Sequence, residues 1–290
     1  MSKSSVAKGI KLNSFDDLFG AETTKDGIIE VSLTELHAFS QHPFKVLDNE
    51  EMDELVKSVK EKGVLSPILI RNRELGGYEI ISGHRRAHAT ARAGFETIPA
   101  ILKELSDDDA TVLMVDANIQ REEILPSEKA KAYKMKYEAL KNQGLPGNSL
   151  QCIGKESGEN YKAVQRYIWL ARLGDDLLGM VDNKKLGLVQ GVSISALSEE
   201  EQELLYSLIA ETDIKLSTMQ AATIKQFSQD GKLTEEFLAR YLNESKEHFA
   251  PRKVTIKKDK LNEYFPDNYS EAEIESIIYR LLDEWKGTDR

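Results

Sequence analysis

The 290-residue sequence predicts an α+β N-terminal domain, an all-α middle and a small strand–helix segment at the C-terminus. Three observations predict it. Short apolar runs bounded by Gly and Pro alternate with helical patterns up to about residue 105. From Ser106 onward the apolar spacing is helical almost without interruption. Near Ala250-Pro251 the pattern breaks, and an alternating Lys253-Val254-Thr255-Ile256 precedes one amphipathic helix from about Ser270 to Trp285. The expected plan is a flexible tail over 1–26, an α+β domain over 27–105, a helical domain over 106–248 and a C-terminal segment over 251–290.

The elements follow in order. Residues 1–26 are polar and read as a mobile tail, with one short helix near Phe15 and Phe19. Ile28-Ile29-Glu30-Val31 reads as a strand, and Ser32 or Thr34 can cap the turn after it. Asp48 or Asn49 can cap a helix whose Met52, Leu55, Val56 and Val59 share one face, with Gly63 as its stop. Pro67 opens the buried-strand pattern Ile68-Leu69-Ile70, and Gly76-Gly77 turns the chain into Tyr78-Glu79-Ile80-Ile81. An Ala-rich helix starts at Ser82-Gly83-His84-Arg85-Arg86 and ends near Gly94; a strand follows at Ile98-Pro99-Ala100-Ile101-Leu102. Helices are then expected at about 106–118, 127–143, 149–157, 160–172 and 174–183, with more to about 248. Gly144-Leu145-Pro146-Gly147-Asn148 is a linker between two of them.

Composition narrows the function. No stretch approaches the roughly 20 apolar residues that span a bilayer, so no membrane partner is expected. The first residues lack the apolar core of a secretory signal. The single Cys152 excludes an intramolecular disulfide framework and a Cys-rich metal site. A cytoplasmic protein is expected. The net charge of −10 argues against a nucleic-acid partner, but its distribution argues the other way. Residues 127–192 carry eleven Lys/Arg against seven acids, a net of +4, and residues 193–250 carry five against eleven, a net of −6. A basic middle can bind DNA locally.

Three constellations carry chemistry. A helix N-terminus presents unpaired N–H groups and partial positive charge, so Gly83-His84-Arg85-Arg86 suits a phosphate chain. The same quartet also suits a plain helix start whose arginines pair with nearby carboxylates. Asp116-Ala117-Asn118-Ile119-Gln120-Arg121-Glu122 clusters polar groups at a helix end, where they serve either a site or a cap. The third is a helix-turn-helix at about 149–172. Ile153 and Gly154 fill the buried slot, Gly158 takes the turn, and Val164 and Ile168 face inward. Asn160, Tyr161, Lys162, Gln165 and Arg166 then face outward, residue types that reach base edges and phosphates of double-stranded DNA.

In this order the three resemble the ParB/RepB partition family over about residues 28–190. Gly63-Val64-Leu65-Ser66-Pro67-Ile68-Leu69-Ile70-Arg71 looks like the family's Gly-Val-x-x-Pro-Ile-x-Val-Arg segment. Ser82 to Arg86 looks like its Gly-Glu-Arg-Arg box, and Asn118 to Glu122 like its Glu-Asn-x-Gln-Arg box. The resemblance implies a ParB/sulfiredoxin-like N-terminal fold holding CTP with Mg2+. It implies a dimeric DNA clamp that works with a ParA-type ATPase in plasmid or chromosome segregation. Gly63, Ser66 and Pro67 would meet the base, Gly83, His84, Arg85 and Arg86 the phosphates. Asn118 would help place the metal, Arg121 would add a phosphate contact, and Gln120 would belong to the same cofactor site.

The departures matter as well. His84 and Ala117 stand where the family has glutamates, which implies weak CTP hydrolysis at most. Asp116 lies one residue early and is expected to point off the site. His42-Pro43-Phe44-Lys45 replaces the family's Asn-Pro-x-Gln-Pro-Arg box. At the C-terminus, Tyr264-Phe265-Pro266 with Ile274, Ile277, Ile278, Leu281, Leu282 and Trp285 forms an apolar face suited to a homodimer contact or to packing on residues 196–248. Two rivals exist. Sulfiredoxin-type chemistry needs a cysteine where Ser82 stands, and a helix-turn-helix transcription regulator without nucleotide control explains the middle domain alone.

Overall fold

The computed structural model describes residues 27–121, 124–144, 149–212, 214–248, 264–265 and 269–288. The tail helix near Phe15, the linker at 145–148 and the strand at 253–256 lie outside these residues. The chain divides into two compact units, Met1–Arg240 and Tyr241–Arg290.

The first unit is built on a five-stranded sheet of order β1-β5-β3-β4-β2. Its strands are β1 (Ile28–Ser32), β2 (Leu36–His37), β3 (Ile68–Asn72), β4 (Tyr78–Ser82) and β5 (Thr97–Leu102). β1 runs antiparallel to β5 with Ile28 opposite Ile101, and β3 runs antiparallel to β4 with an irregularity between Leu69 and Ile70. β3 and β5 are parallel, as are β4 and the two-residue β2, which the sequence pattern did not reveal.

Strand side chains alternate between faces, so the sheet has two cores. On one face Ile68, Ile70, Ile80, Ile98 and Ala100 pack with Ala87 of α2 (His84–Ala93). Above it, Met52, Val56 and Val59 of α1 (Glu50–Lys62) bury against Ala89. Each such apolar side chain contributes about 1.5–3 kcal/mol. Asn49 caps α1, its Oδ1 accepting from Met52 N–H at 3.1 Å, and Gly63 closes it. The alternative cap, Asp48, instead pairs with His88 and Arg92 of α2.

On the other face Leu69, Ile81 and Ile101 meet Ala110, Met114 and Val115 of α3 (Asp107–Ile119), Ala132 of α4 (Pro126–Asn142), and Phe39 and Phe44 of the segment after β2. α3 therefore covers the sheet as well as starting the helical part, so residues 27–105 share a core with α3 and α4. The rest of the unit is helical: α5 (Ser149–Ser157), α6 (Tyr161–Leu170), α7 (Asp175–Asp182), α8 (Leu188–Ile194), α9 (Glu199–Thr212) and α10 (Thr218–Gln229). α11 (Glu235–His248) runs across the boundary between the units, and α12 (Glu271–Thr288) belongs to the second. Among the described residues no helix is long and apolar enough to cross a membrane.

Candidate functional site

The first cluster forms where β4 turns into α2. Gly83 is the N-cap of α2 at φ 104°, and no side chain caps the helix there. A Cβ on Gly83 would stand 2.6 Å from Ile68 Cγ2, so both the left-handed backbone and the close approach require glycine. The first turn of α2 thus offers bare N–H groups and the positive end of its dipole.

Three guanidinium groups and two imidazoles gather around it, with different roles. Arg86 is largely buried and donates from Nη1 to the carbonyls of Ser66 and Pro67, each at 2.7 Å. It clamps the loop that contains Gly63, Ser66 and Pro67 onto the helix start, which the sequence could not show. Arg85 pairs at 2.9 Å with Glu51, an exposed partner. Arg121 follows α3, its N–H bonded to Asn118 O at 3.1 Å. Burial, and then the charge of Arg85, holds the Arg121 guanidinium below its ordinary value, so the two guanidinium groups feel each other.

His84 opens α2 with its Nε2 accepting from Phe39 N–H at 3.4 Å. Its ring lies 3.9 Å, centroid to centroid, from that of His42. Burial, then His42, pushes His84 down to about 3. Burial also lowers His42, with Arg121 adding and Phe44 O and Glu128 opposing. His42 Nδ1 donates to Phe44 O at 2.7 Å, which leaves its buried Nε2 without a partner. The segment that carries His42 is pinned on either side of it. Ser40 N–H donates to Glu79 at 2.9 Å, Glu79 is held by Arg71, and Lys45 N–H donates to Glu128 at 2.8 Å. Glu128, near the start of α4, also accepts from Leu125 N–H at 3.2 Å. His42 and Glu128 were absent from the sequence-derived site. The Pro126-x-Glu128 helix start was the available signal for Glu128, and His42 stood in a box with no assigned role.

The α3 end is less prepared. Asn118 donates from Nδ2 to Met114 O at 2.8 Å, which leaves Oδ1 and one Nδ2 hydrogen to face a ligand, and Gln120 is exposed at the helix end. Asp116 points away, as expected, and pairs with Lys136 of α4. Glu122 lies outside the described residues. Among the described residues no group of three His, Cys, Asp or Glu side chains could hold a metal ion.

The second cluster is the pair α5 and α6. Ile153 and Val164 are buried, and a Cβ on Gly154 would stand 2.5 Å from Glu159 O, so glycine permits the close crossing. Gly158 has φ 72° in the turn. Asn160 is the N-cap of α6, its Oδ1 accepting from Ala163 N–H at 2.9 Å. That occupies the oxygen expected to read a base edge and leaves Nδ2. Tyr161, Lys162 and Arg166 are exposed and Gln165 is half-buried. Cys152 sits on α5 with its Sγ 3.4 Å from Glu156, and burial, then Glu156, pushes the thiol up, while Ser82 is buried in β4. Neither suits thiol catalysis.

The family model described as the ParB N-terminal domain matches residues 20–119. The nucleoid occlusion protein of Listeria innocua is 30% identical over 201 residues, covering 69% of this chain and 67% of that protein. The chain belongs to the ParB family. The chromosome-partitioning protein Spo0J of Thermus thermophilus is 29% identical over 203 residues, covering 70% of this chain and 72% of that ParB relative. A solved structure of C-terminally truncated ParB from Caulobacter crescentus, complexed to the centromeric parS site, has a TM-score of 0.41 and 24% identity. It covers 68% of this chain and 98% of that one.

Proposed function

We propose that this ParB-family chain is a sequence-specific DNA-binding partition protein whose N-terminal domain binds CTP with Mg2+. As a homodimer it closes into a clamp that slides on DNA and acts with a ParA-type ATPase in segregation. The observation that carries the reading is the uncapped start of α2, with Arg85 and Arg121 close enough to repel each other. Such a site favours an anion between the two guanidinium groups.

The residues then divide the work. Arg85 turns from Glu51 to a phosphate at little loss, because an exposed ion pair is worth about 0–1 kcal/mol. Arg121 supplies the second charge. Arg86 is a positioning residue that holds Ser66 and Pro67 beside the site, where they and Gly63 meet the base. Neutral His84 fills the place next to the helix start. Bound Mg2+ would neutralise phosphate charge; Asn118 Oδ1 fits it as one oxygen donor, with phosphate oxygens and waters supplying the rest. With His84 and Ala117 in place of carboxylates, the nucleotide is held and hydrolysed slowly.

α5 and α6 act as a helix-turn-helix, with Tyr161, Lys162, Gln165, Arg166 and the Asn160 amide facing DNA. In the second unit Leu281 and Leu282 of α12 are exposed and Ile274, Ile277 and Ile278 half-buried, which supports a self-contact; the Trp285 side chain and Pro266 lie outside the described residues.

A regulator without nucleotide control is the second reading, favoured by the protein partners that Arg85 and Arg86 already have. Genome-wide occupancy separates them. Signal spreading over kilobases from a few sites is expected for the clamp; sharp isolated peaks would leave the regulator.

A further inference from the structure

The outward face of α6 carries a residue that the fold does not explain. At 100° per residue, Lys162, Gln165, Arg166 and Trp169 fall within one arc of the helix, and Trp169 lies between Lys162 and Gln165. The inward face is made by Val164 and Ile168, with Leu170 buried at the end of the helix. Trp169 is thus a large apolar side chain in the middle of a polar face, 38% exposed. No described group accepts from its indole N–H. An indole that serves the core is expected to be covered and its N–H satisfied.

Charge identifies the occupant. Trp169 is flanked by the exposed Lys162, Arg166 and Arg172, within a segment of net +4. Such surroundings suit a polyanion and disfavour an apolar protein partner. Lys162 lies two turns nearer the N-terminus of α6, about 10 Å along the axis. When the first turn enters a major groove, residues two turns later reach the groove wall.

We propose that Trp169 is a DNA-contacting residue, packing its ring on a deoxyribose of the groove wall and donating Nε1–H to a phosphate. This rests on the DNA-binding reading above. It adds affinity without adding charge, and that separates it from its neighbours.

The probe is a duplex enriched from a randomised DNA library by the full-length wild-type protein. Trp169→Ala is expected to weaken binding about tenfold with an unchanged dependence on salt, whereas Arg166→Ala lowers the slope of log K against log salt by about one. The chain has two tryptophans, so Trp285→Phe leaves Trp169 as the only indole emitter. In that full-length variant the duplex is expected to change the Trp169 emission in step with binding followed by anisotropy of labelled DNA. Saturating anisotropy with unchanged emission and unaltered affinity of Trp169→Ala would overturn the proposal and leave the DNA reading intact. Failure to enrich any duplex would overturn both.

Discussion

The double substitution Asp116→Asn and Glu156→Gln is expected to destabilise the first unit by about 3–5 kcal/mol, lowering Tm by roughly 10 °C. Lys136 is 2% exposed and sits on α4, with Asp116 of α3 and Glu156 of α5 as ion-pair partners. Burial alone would drive its ammonium pKa down, but the two carboxylates outweigh it and hold the pKa above its ordinary value. In the wild type this contribution is complete below about pH 10.5 and is lost only as pH rises through the raised value. Without both carboxylates the buried ammonium has no counter-charge, its pKa falls, and the loss shrinks as pH is raised. Lys136→Met should be milder, because it leaves no buried cation and the freed carboxylates are partly exposed, 35% for Asp116 and 47% for Glu156. Urea unfolding at pH 7 and pH 9 checks this. An Asp116→Asn/Glu156→Gln protein as stable as the wild type would show that the triad does not hold the three helices together.

Acidification from pH 7 to pH 5 is expected to destabilise the first unit by about 2 kcal/mol through His84 alone. His84 falls to about 3 in the folded chain, from an ordinary value of 6.5. The unfolded chain therefore takes up the proton first. Stability is complete above pH 6.5 and declines as pH falls toward about 3. His42 acts in the same direction, since burial lowers it as well. The physical cause is burial of two rings in close, tilted contact, where an imidazolium would face the other ring, and at His42 also Arg121, without water. His84→Gln keeps an acceptor for Phe39 N–H but cannot titrate, so its stability should change less between pH 7 and pH 5. Equal slopes for wild type and variant would contradict the assignment.

Much of the fold was legible because its signals are local. Asn49 and Gly63 mark both ends of α1, and the Ile68-Leu69-Ile70 run reads as a strand buried on two faces. The place of α3 was not legible. Its Ala110, Leu113, Met114 and Val115 spread around the helix because the sheet covers one side and α4 another, so no single apolar stripe marks a partner. The two-residue β2 is too short to show a period. At the site, Gly83 and the arginines were visible as residue types. What separates Arg86 from Arg85 is a contact to carbonyls 19 and 20 residues away, which no local pattern encodes. The His42–His84 ring contact is equally non-local, 42 residues apart in sequence. Asn160 was assigned outward by residue type, yet its Oδ1 serves as a cap, a competition that the same residue type also signals.

The start of α2 is proposed as a nucleotide site. Equilibrium binding of CTP, ATP, GTP and UTP with Mg2+ to the full-length protein, repeated with Arg85→Ala, tests it most directly. Selective CTP binding is predicted, weakened roughly 30-fold in the variant, since a hydrogen bond to a charged group is worth about 2 kcal/mol. Absence of binding by every nucleotide, with and without DNA, would contradict the claim and leave Gly83, Arg85 and Arg86 as parts of a structural helix start.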